Sequence, residues 1–355
     1  MRDRGWRVSV TSLLRPGPMA EPLERGGVPV ASSLLPSVRP LAIARAALGL
    51  RRVRPDVLCA FMYHATLAAT AAAPFVGRPA VVSSMRSPAF GRRGRDDVVA
   101  SLARSQRIDA VVSNSQLAAR GLDRKLPESM LHVIGNGLDF DEWSPDGSAA
   151  HRVRASLGAE PGERLFLAVG NWRWEKDYPT LLEAFRRLRG AEERPSRLLI
   201  AGRGEPDERS ARLLAQLGAS VVVLGARDDV RDLMRAADVF VLSSCSEGLP
   251  NVVLEAAATG TPVVATDVGG VREIVDASGS HVVPPEDPER LAAAMAKTLS
   301  AADDQLQRMG TAARERARAR FELEQVLDTW DALFRELASR AHGDALPAAT
   351  AWSRR

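Results

Sequence analysis

The sequence predicts an α/β protein of two doubly wound, Rossmann-like domains facing across a cleft. Three observations carry that expectation. Apolar runs of strand length recur along the chain and are separated by segments with helical spacing, the alternation that builds parallel sheets with crossover helices. The chain has 355 residues, more than one typical core accommodates. A stretch rich in Gly, Pro and charge, 141–163, interrupts the alternation, which then restarts. The expected organisation is a first domain over 1–140 completed by a helix at 321–340, a connection at 141–163, a second domain over 164–320, and a disordered tail at 341–355.

Taken in order, Trp6 to Leu14 alternates like a strand and is closed by Arg15-Pro16-Gly17-Pro18. Leu41 to Leu50 has helical spacing, and Asp56 to Ala60 is strand-like. His64 to Ala73 is helical until Pro74; Pro79 to Ser84 is the next strand, ending at Met85-Arg86 and a basic loop with Gly91, Arg92, Arg93, Gly94 and Arg95. Asp109 to Val112 is another strand, and Met130 to Ile134 leads to the turn Gly135-Asn136-Gly137. After 163 the expected strands are 165–169, 198–201, 220–224, 238–244 and 261–266. The expected helices are 179–188, 208–217, 230–237, 250–260 and 290–299, and the Arg-rich stretch from Met309 through Leu337 is expected to be helical.

Composition narrows the functional classes. Hydrophobic content is 45%, and no run approaches the ~18 apolar residues of a membrane span. Met1-Arg2-Asp3-Arg4-Gly5 is not followed by the apolar region of a signal peptide, and Cys59 and Cys245 are the sole cysteines, so the expected compartment is the cytoplasm. The first 150 residues carry 20 basic against 13 acidic side chains, the remainder 28 against 31. Nearly all the basic residues are arginine, with lysine only at 125, 176 and 297, a bias that a GC-rich genome alone would produce; the functional alternative is a basic N-terminal half that meets an anionic partner, a membrane surface or a phosphorylated acceptor. Nucleic acid fits less well, since aromatics make up 5% of the chain and are not interleaved with the basic residues. Gly202-Arg203-Gly204 lacks a third glycine, which disfavours a dinucleotide fold, and the five histidines form no ligand cluster.

The chemistry concentrates in Ser246 to Gly260, between two strands. Pro250 suits a first helical position and Gly260 a C-terminal stop. Gly248 lets the backbone approach a ligand, and the amides opening the helix favour a phosphate. Glu247 and Glu255 offer carboxylate oxygens to paired hydroxyls of a sugar or ribose. One element therefore suits both ends of a nucleotide sugar; the plainer alternative is an acidic cap on an ordinary helix.

Residues 5 to about 338 resemble the family-four retaining glycosyltransferases of the GT-B fold. Glu247 and Glu255, with seven residues between them, are similar to that family's Glu-x7-Glu signature; Asp238-Val239-Phe240-Val241, Gly248-Leu249-Pro250 and Gly269-Gly270-Val271-Arg272-Glu273 flank it as in the family. The resemblance implies that Glu247 contacts the donor sugar, that Glu255 holds the ribose, and that Gly248, Leu249, Pro250 and Asn251 shape the loop under the diphosphate. It implies that Lys176 neutralises the diphosphate, that Gly170 opens the loop beside it, and that no divalent metal or other cofactor is required.

Three departures stand out. Asn171 follows Gly170 where the family has arginine, and Arg173, two residues on, is the candidate replacement. Arg86 stands where many members carry a histidine; it favours an anionic acceptor group and cannot serve as a base, which leaves His64 as the acceptor-side histidine. The family's first strand and glycine-rich loop are missing ahead of Gly5, which points to a misassigned start or to a truncated protein. The expected function is transfer of a sugar from a nucleotide diphosphate sugar to a hydroxyl of a glycan, lipid-linked or small-molecule acceptor. The expected setting is cytoplasmic, with peripheral contact to the membrane through Arg92, Arg93 and Arg95 as one reading and a plainly solvated charged loop as the other. The rivals are an impaired nucleotide-sugar-binding protein and a nucleotide-sugar epimerase on the same fold.

Overall fold

A computed structural model describes residues 1–32, 40–86, 95–190 and 194–342. The expected tail beyond 342, and Arg92 and Arg93, lie outside them. The chain forms two compact units: Met1–Asn114, Ala118–Ile134 and the chain from Val326 in one, Ser115–Leu117 and Gly135–Gln325 in the other.

The first unit begins with β1 (Val10–Ser12), α1 (Ala20–Arg25) and β2 (Val30–Ser32), the two strands pairing in parallel. There follow α2 (Pro40–Val53), β3 (Val57–Phe61), α3 (Tyr63–Ala72), β4 (Ala80–Met85), α4 (Arg95–Arg104), β5 (Ala110–Ser113), the short α5 (Gln116–Ala119) and β6 (Leu131–Val133). The strands β3-β4-β5-β6 form a parallel sheet in sequence order. Strand β4 is buried along its whole length, as an inner parallel strand covered on both faces requires. Its Ser83 hydroxyl finds a partner in Thr66 of α3 at 2.8 Å, so the polar group does not go unpaired in the core.

The second unit contains α6 (Gly147–Ser156), β7 (Arg164–Val169), α7 (Tyr178–Arg189), β8 (Ser196–Ala201), α8 (Glu208–Leu217), β9 (Val221–Gly225) and α9 (Val230–Ala236). It continues with β10 (Val239–Leu242), α10 (Asn251–Ala258), β11 (Val263–Thr266), α11 (Val271–Ile274), β12 (Ser280–Val283), α12 (Pro288–Ser300) and α13 (Asp303–Phe321). Its six parallel strands run in the order β12-β11-β10-β7-β8-β9. Apolar clusters cover both faces: Leu165, Phe240 and Val253 on one, Phe166, Phe185 and Leu198 on the other. The last helix, α14 (Leu323–His342), brings Val326, Trp330, Leu333 and Leu337 onto Val82 and Val112 of the first unit's sheet.

Several expectations change. Residues 141–163 are not a bare connection, because α6 lies within them; Asp146 caps it, and Arg154 runs to Asp238 at 2.9 Å. Asp238 also accepts from the Leu165 amide at 2.8 Å and pairs with the buried Arg164, so it anchors the strand start rather than belonging to β10. The stretch 309–337, expected to be helical, is shared by two helices, α13 and α14, the second starting two residues after the helix expected at 321–340. The break falls at Glu322, whose ψ of 130 leaves the helical range, while Leu138 bonds to Phe321 and Leu323 on either side of it. Helix α14 runs to His342, two residues into the expected tail. Arg95 does not sit in a loop: it opens α4, and its guanidinium lies 5.1 Å from the Tyr63 ring centre.

Candidate active site

In the second unit the chain leaves β7 toward β8 and β9 on one side, then returns to β10 and continues to β11 and β12 on the other. The crevice outside the carboxyl ends of β7 and β10 is therefore the switch point of a doubly wound sheet, where such folds take ligands. The loop after β7 carries Gly170, Asn171, Arg173 and Lys176; the loop after β10 carries Glu247, Gly248, Leu249 and Pro250 and enters α10. Adjacent parallel strands bring these loops together. Ser243 donates from Oγ to the Lys176 carbonyl at 2.7 Å, and the Cys245 amide donates to the Glu175 carbonyl at 2.9 Å.

On that backbone the Lys176 ammonium donates to Glu247 Oε1 at 2.7 Å. The Ser244 hydroxyl donates to the same oxygen, also at 2.7 Å. The lysine stem runs over Gly170, where a Cβ would stand 2.9 Å from Lys176 Cε. The Gly170 carbonyl accepts from the Tyr178 hydroxyl at 2.6 Å, and burial pushes that phenol up from its ordinary range. A side chain at 170 would therefore displace the lysine stem, while the φ of this glycine makes no demand of its own.

The loop after β10 is held from behind. Gly269 has φ 51, and a Cβ there would meet the Gly248 carbonyl at 2.2 Å; the Gly270 amide donates to that carbonyl at 2.6 Å. Leu249 is buried in the core and presses on Gly270, so it anchors the loop, and Gly248 and Pro250 on either side of it are buried as well. Pro250 is the cap of α10, one residue before the expected place, and Asn251 is the first helical residue. Asn251 is exposed, and its Oδ1 accepts from Asn136 Nδ2 at 2.5 Å. Gly260, with φ 75, ends the helix as expected.

Glu255 behaves differently from Glu247. It projects from α10 with no hydrogen-bond or ion-pair partner among the described residues, and burial pushes its carboxyl up to about 7. Asn171 accepts from the Arg203 amide at 3.0 Å, so it braces the next loop. Arg173 is largely exposed, with Nε 3.6 Å from Glu175.

Two candidates lie in the first unit. His64 is exposed on the first turn of α3, next to Met62, whose φ of 74 and ψ of 163 strain the entry to that helix. Arg86 follows β4, with its guanidinium 5.1 Å from the Phe61 ring centre and 5.7 Å from that of Trp330. Sequence reasoning did not single out Ser244, Tyr178 or Asn136: a hydroxyl three residues before a glutamate, a tyrosine opening a helix and an asparagine in a turn carry no signal until the loops meet. Among the described residues no group of three or more His, Cys, Asp or Glu side chains could hold a metal ion. No helix among them is long and apolar enough to cross a membrane.

Residues 1–142 match the family described as Glycosyltransferase Family 4, and residues 163–301 match Glycosyl transferases group 1. An uncharacterized glycosyltransferase of Methanocaldococcus jannaschii is 34% identical over 49% of this chain and 46% of its own. Mannosylfructose-phosphate synthase of Agrobacterium fabrum is 32% identical over 62% of this chain and 49% of its own. The chain thus spans about half the length of the curated relatives it matches. Among solved structures, HepE of Anabaena in complex with UDP and glucose superposes with a TM-score of 0.80 at 20% identity, covering 94% of this chain and 93% of that one. Sucrose-phosphate synthase of Thermosynechococcus elongatus superposes at 0.79 with 21% identity, covering 96% and 91%. The fold is GT-B.

Proposed function

We propose that this chain, a GT-B protein whose halves match a family 4 and a group 1 glycosyltransferase domain, transfers a sugar from a nucleotide diphosphate sugar to an acceptor hydroxyl. The observation that carries the reading is the pairing, at one switch point, of a cation held by a carboxylate with a second carboxyl that has no partner among the described residues. Glu255 would accept from the ribose hydroxyls, which supply the hydrogen bonds it lacks. Lys176 would turn toward the diphosphate, and Glu247, released from it, toward the donor sugar. When the bond from the sugar to the diphosphate breaks, negative charge builds on the leaving oxygen, and a cation placed there lowers the barrier.

Gly248, Leu249, Pro250 and Asn251 would set the diphosphate under the amides that open α10, with Gly170 and Asn171 shaping the opposite loop. Arg173, exposed and weakly held, would supply the second positive charge. Retention of anomeric configuration, and acceptor-side roles for His64 and Arg86, rest on the family resemblance alone. So do a glycan or lipid-linked acceptor and independence from a divalent metal.

The test is release of nucleoside diphosphate from a panel of UDP- and GDP-sugars, by wild type and by Glu255→Ala, with and without acceptors. Acceptor-dependent release by wild type, reduced in the variant, is the expected result. Equal rates for the two proteins would sink the assignment. Release of free sugar with no acceptor requirement would indicate an epimerase, and binding without turnover an impaired enzyme.

A further inference from the structure

In a parallel sheet every connection returns to the same edge, so the turns preceding β3, β4 and β5 lie side by side. The registers Val57 to Ala80 and Val82 to Ala110 fix that arrangement. Each turn carries an exposed arginine: Arg54 before β3, Arg78 before β4 and Arg107 before β5. Arg51 and Arg52 extend the row from the last turn of α2, and Arg104 extends it from the last turn of α4. None of these six side chains has an ion pair or hydrogen bond among the described residues, whereas Arg186, Arg197 and Arg272 all do. The carboxylates nearest in sequence are Asp56 and Asp109, and Asp109 already accepts from the Val81 amide at 2.7 Å.

The negative end of a helix dipole accounts for Arg51, Arg52 and Arg104. It does not account for Arg54 and Arg78, which hold φ of 49 and 55 at positions where glycine or asparagine would sit more easily. Large apolar side chains are exposed among these cations: Leu48 at 62%, Val53 at 47% and Phe75 at 68%. Leu48 shares a helix face with Arg51 and Arg52, Val53 adjoins Arg54, and Phe75 belongs to the turn that holds Arg78.

We propose that this edge of the first unit docks on an anionic lipid surface. The arginines would meet headgroup phosphates while Leu48, Val53 and Phe75 enter the boundary with the acyl chains. A bilayer fits better than a nucleic acid because two of the three apolar groups are aliphatic and offer no stacking face. Docking there does not depend on the proposed transfer reaction.

The test is co-sedimentation of the full chain with vesicles of phosphatidylcholine alone or mixed equally with phosphatidylglycerol. Binding to the mixed vesicles, weakened by salt, is expected. The variant R54N/R78N/R107Q should lose about a hundredfold in partition. Its thermal stability should be equal or higher, because asparagine suits the left-handed positions, and its nucleoside diphosphate binding should be unchanged. R51E/R52E, on the exposed face of α2, should lose binding in the same direction, and F75S should lower the part that salt does not remove. Undiminished binding by the triple variant, equal binding to neutral vesicles, or capture of single-stranded nucleic acid in place of vesicles would overturn the proposal.

Discussion

Glu247 and Glu255 stand on one loop and the helix it feeds, yet their surroundings are opposite. Glu247 takes an ammonium and a hydroxyl on one oxygen. Glu255 is half-buried with no side-chain partner among the described residues, and burial raises its carboxyl to about 7. The contrast teaches that the fold itself supplies partners at the charged end of the site and, among the described residues, supplies none to Glu255. A carboxyl without partners costs stability until hydroxyls arrive, which is how binding energy becomes specific for them.

The largest effect should come from breaking the completed end. Lys176→Ala leaves Glu247 without its cation, and kcat should fall by about a hundred- to a thousandfold, as when a preorganised charge is removed from a transition state. A single-turnover assay with saturating donor measures it. A loss confined to KM would show that the lysine binds the diphosphate without helping it leave.

Next comes the scaffold that both glutamates share. Gly269→Ala puts a Cβ against the Gly248 and Glu247 carbonyls at a positive φ, so the loop must shift. Thermal unfolding should show a loss of about 1–2 kcal/mol, and calorimetry should show weaker nucleoside diphosphate binding. Wild-type affinity in that variant would mean the loop carries no phosphate.

The smallest effect sharpens the unfinished end. The carboxyl of Glu255 is raised from 4.5 to about 7 in the folded protein, so the ionised form is the one that burial penalises. The penalty is absent below the unfolded value, grows as pH rises between the two values, and is fully present above about 7. Ligand-free Glu255→Gln should therefore melt higher than wild type at alkaline pH, with the gap closing in acid. Donor KM in wild type should fall as pH rises through about 7, because the ionised carboxylate is the better acceptor, and the variant should show a flat and roughly tenfold higher KM. A parallel pH profile in both proteins would assign the titration to another group.

The alternation of strands and helices was legible because periodicity is a local property, and most elements lie within a few residues of where the spacing puts them. A helix was expected at 321–340, close to α14, but the cause of the break at Glu322 was not legible, since helical spacing continues across it and the bonds on either side come from Leu138, far away in sequence. Helix α6 was hidden by a composition that also suits a linker. In the site, Glu247, Glu255 and Lys176 were legible as residue types in a resembling pattern. Ser244, Tyr178 and Asn136 were not, because each is defined by the partner that the fold brings to it.

By itself the sequence determined the α/β class, the strand–loop–helix that carries two glutamates, and the glycines where backbone and side chains crowd. Only the tertiary structure decided which glutamate is paired and which, among the described residues, has no partner, and that arginines without partners among those residues line one edge of a sheet. Charge and shape are written residue by residue, but desolvation and partnership depend on which distant segments fold against each other.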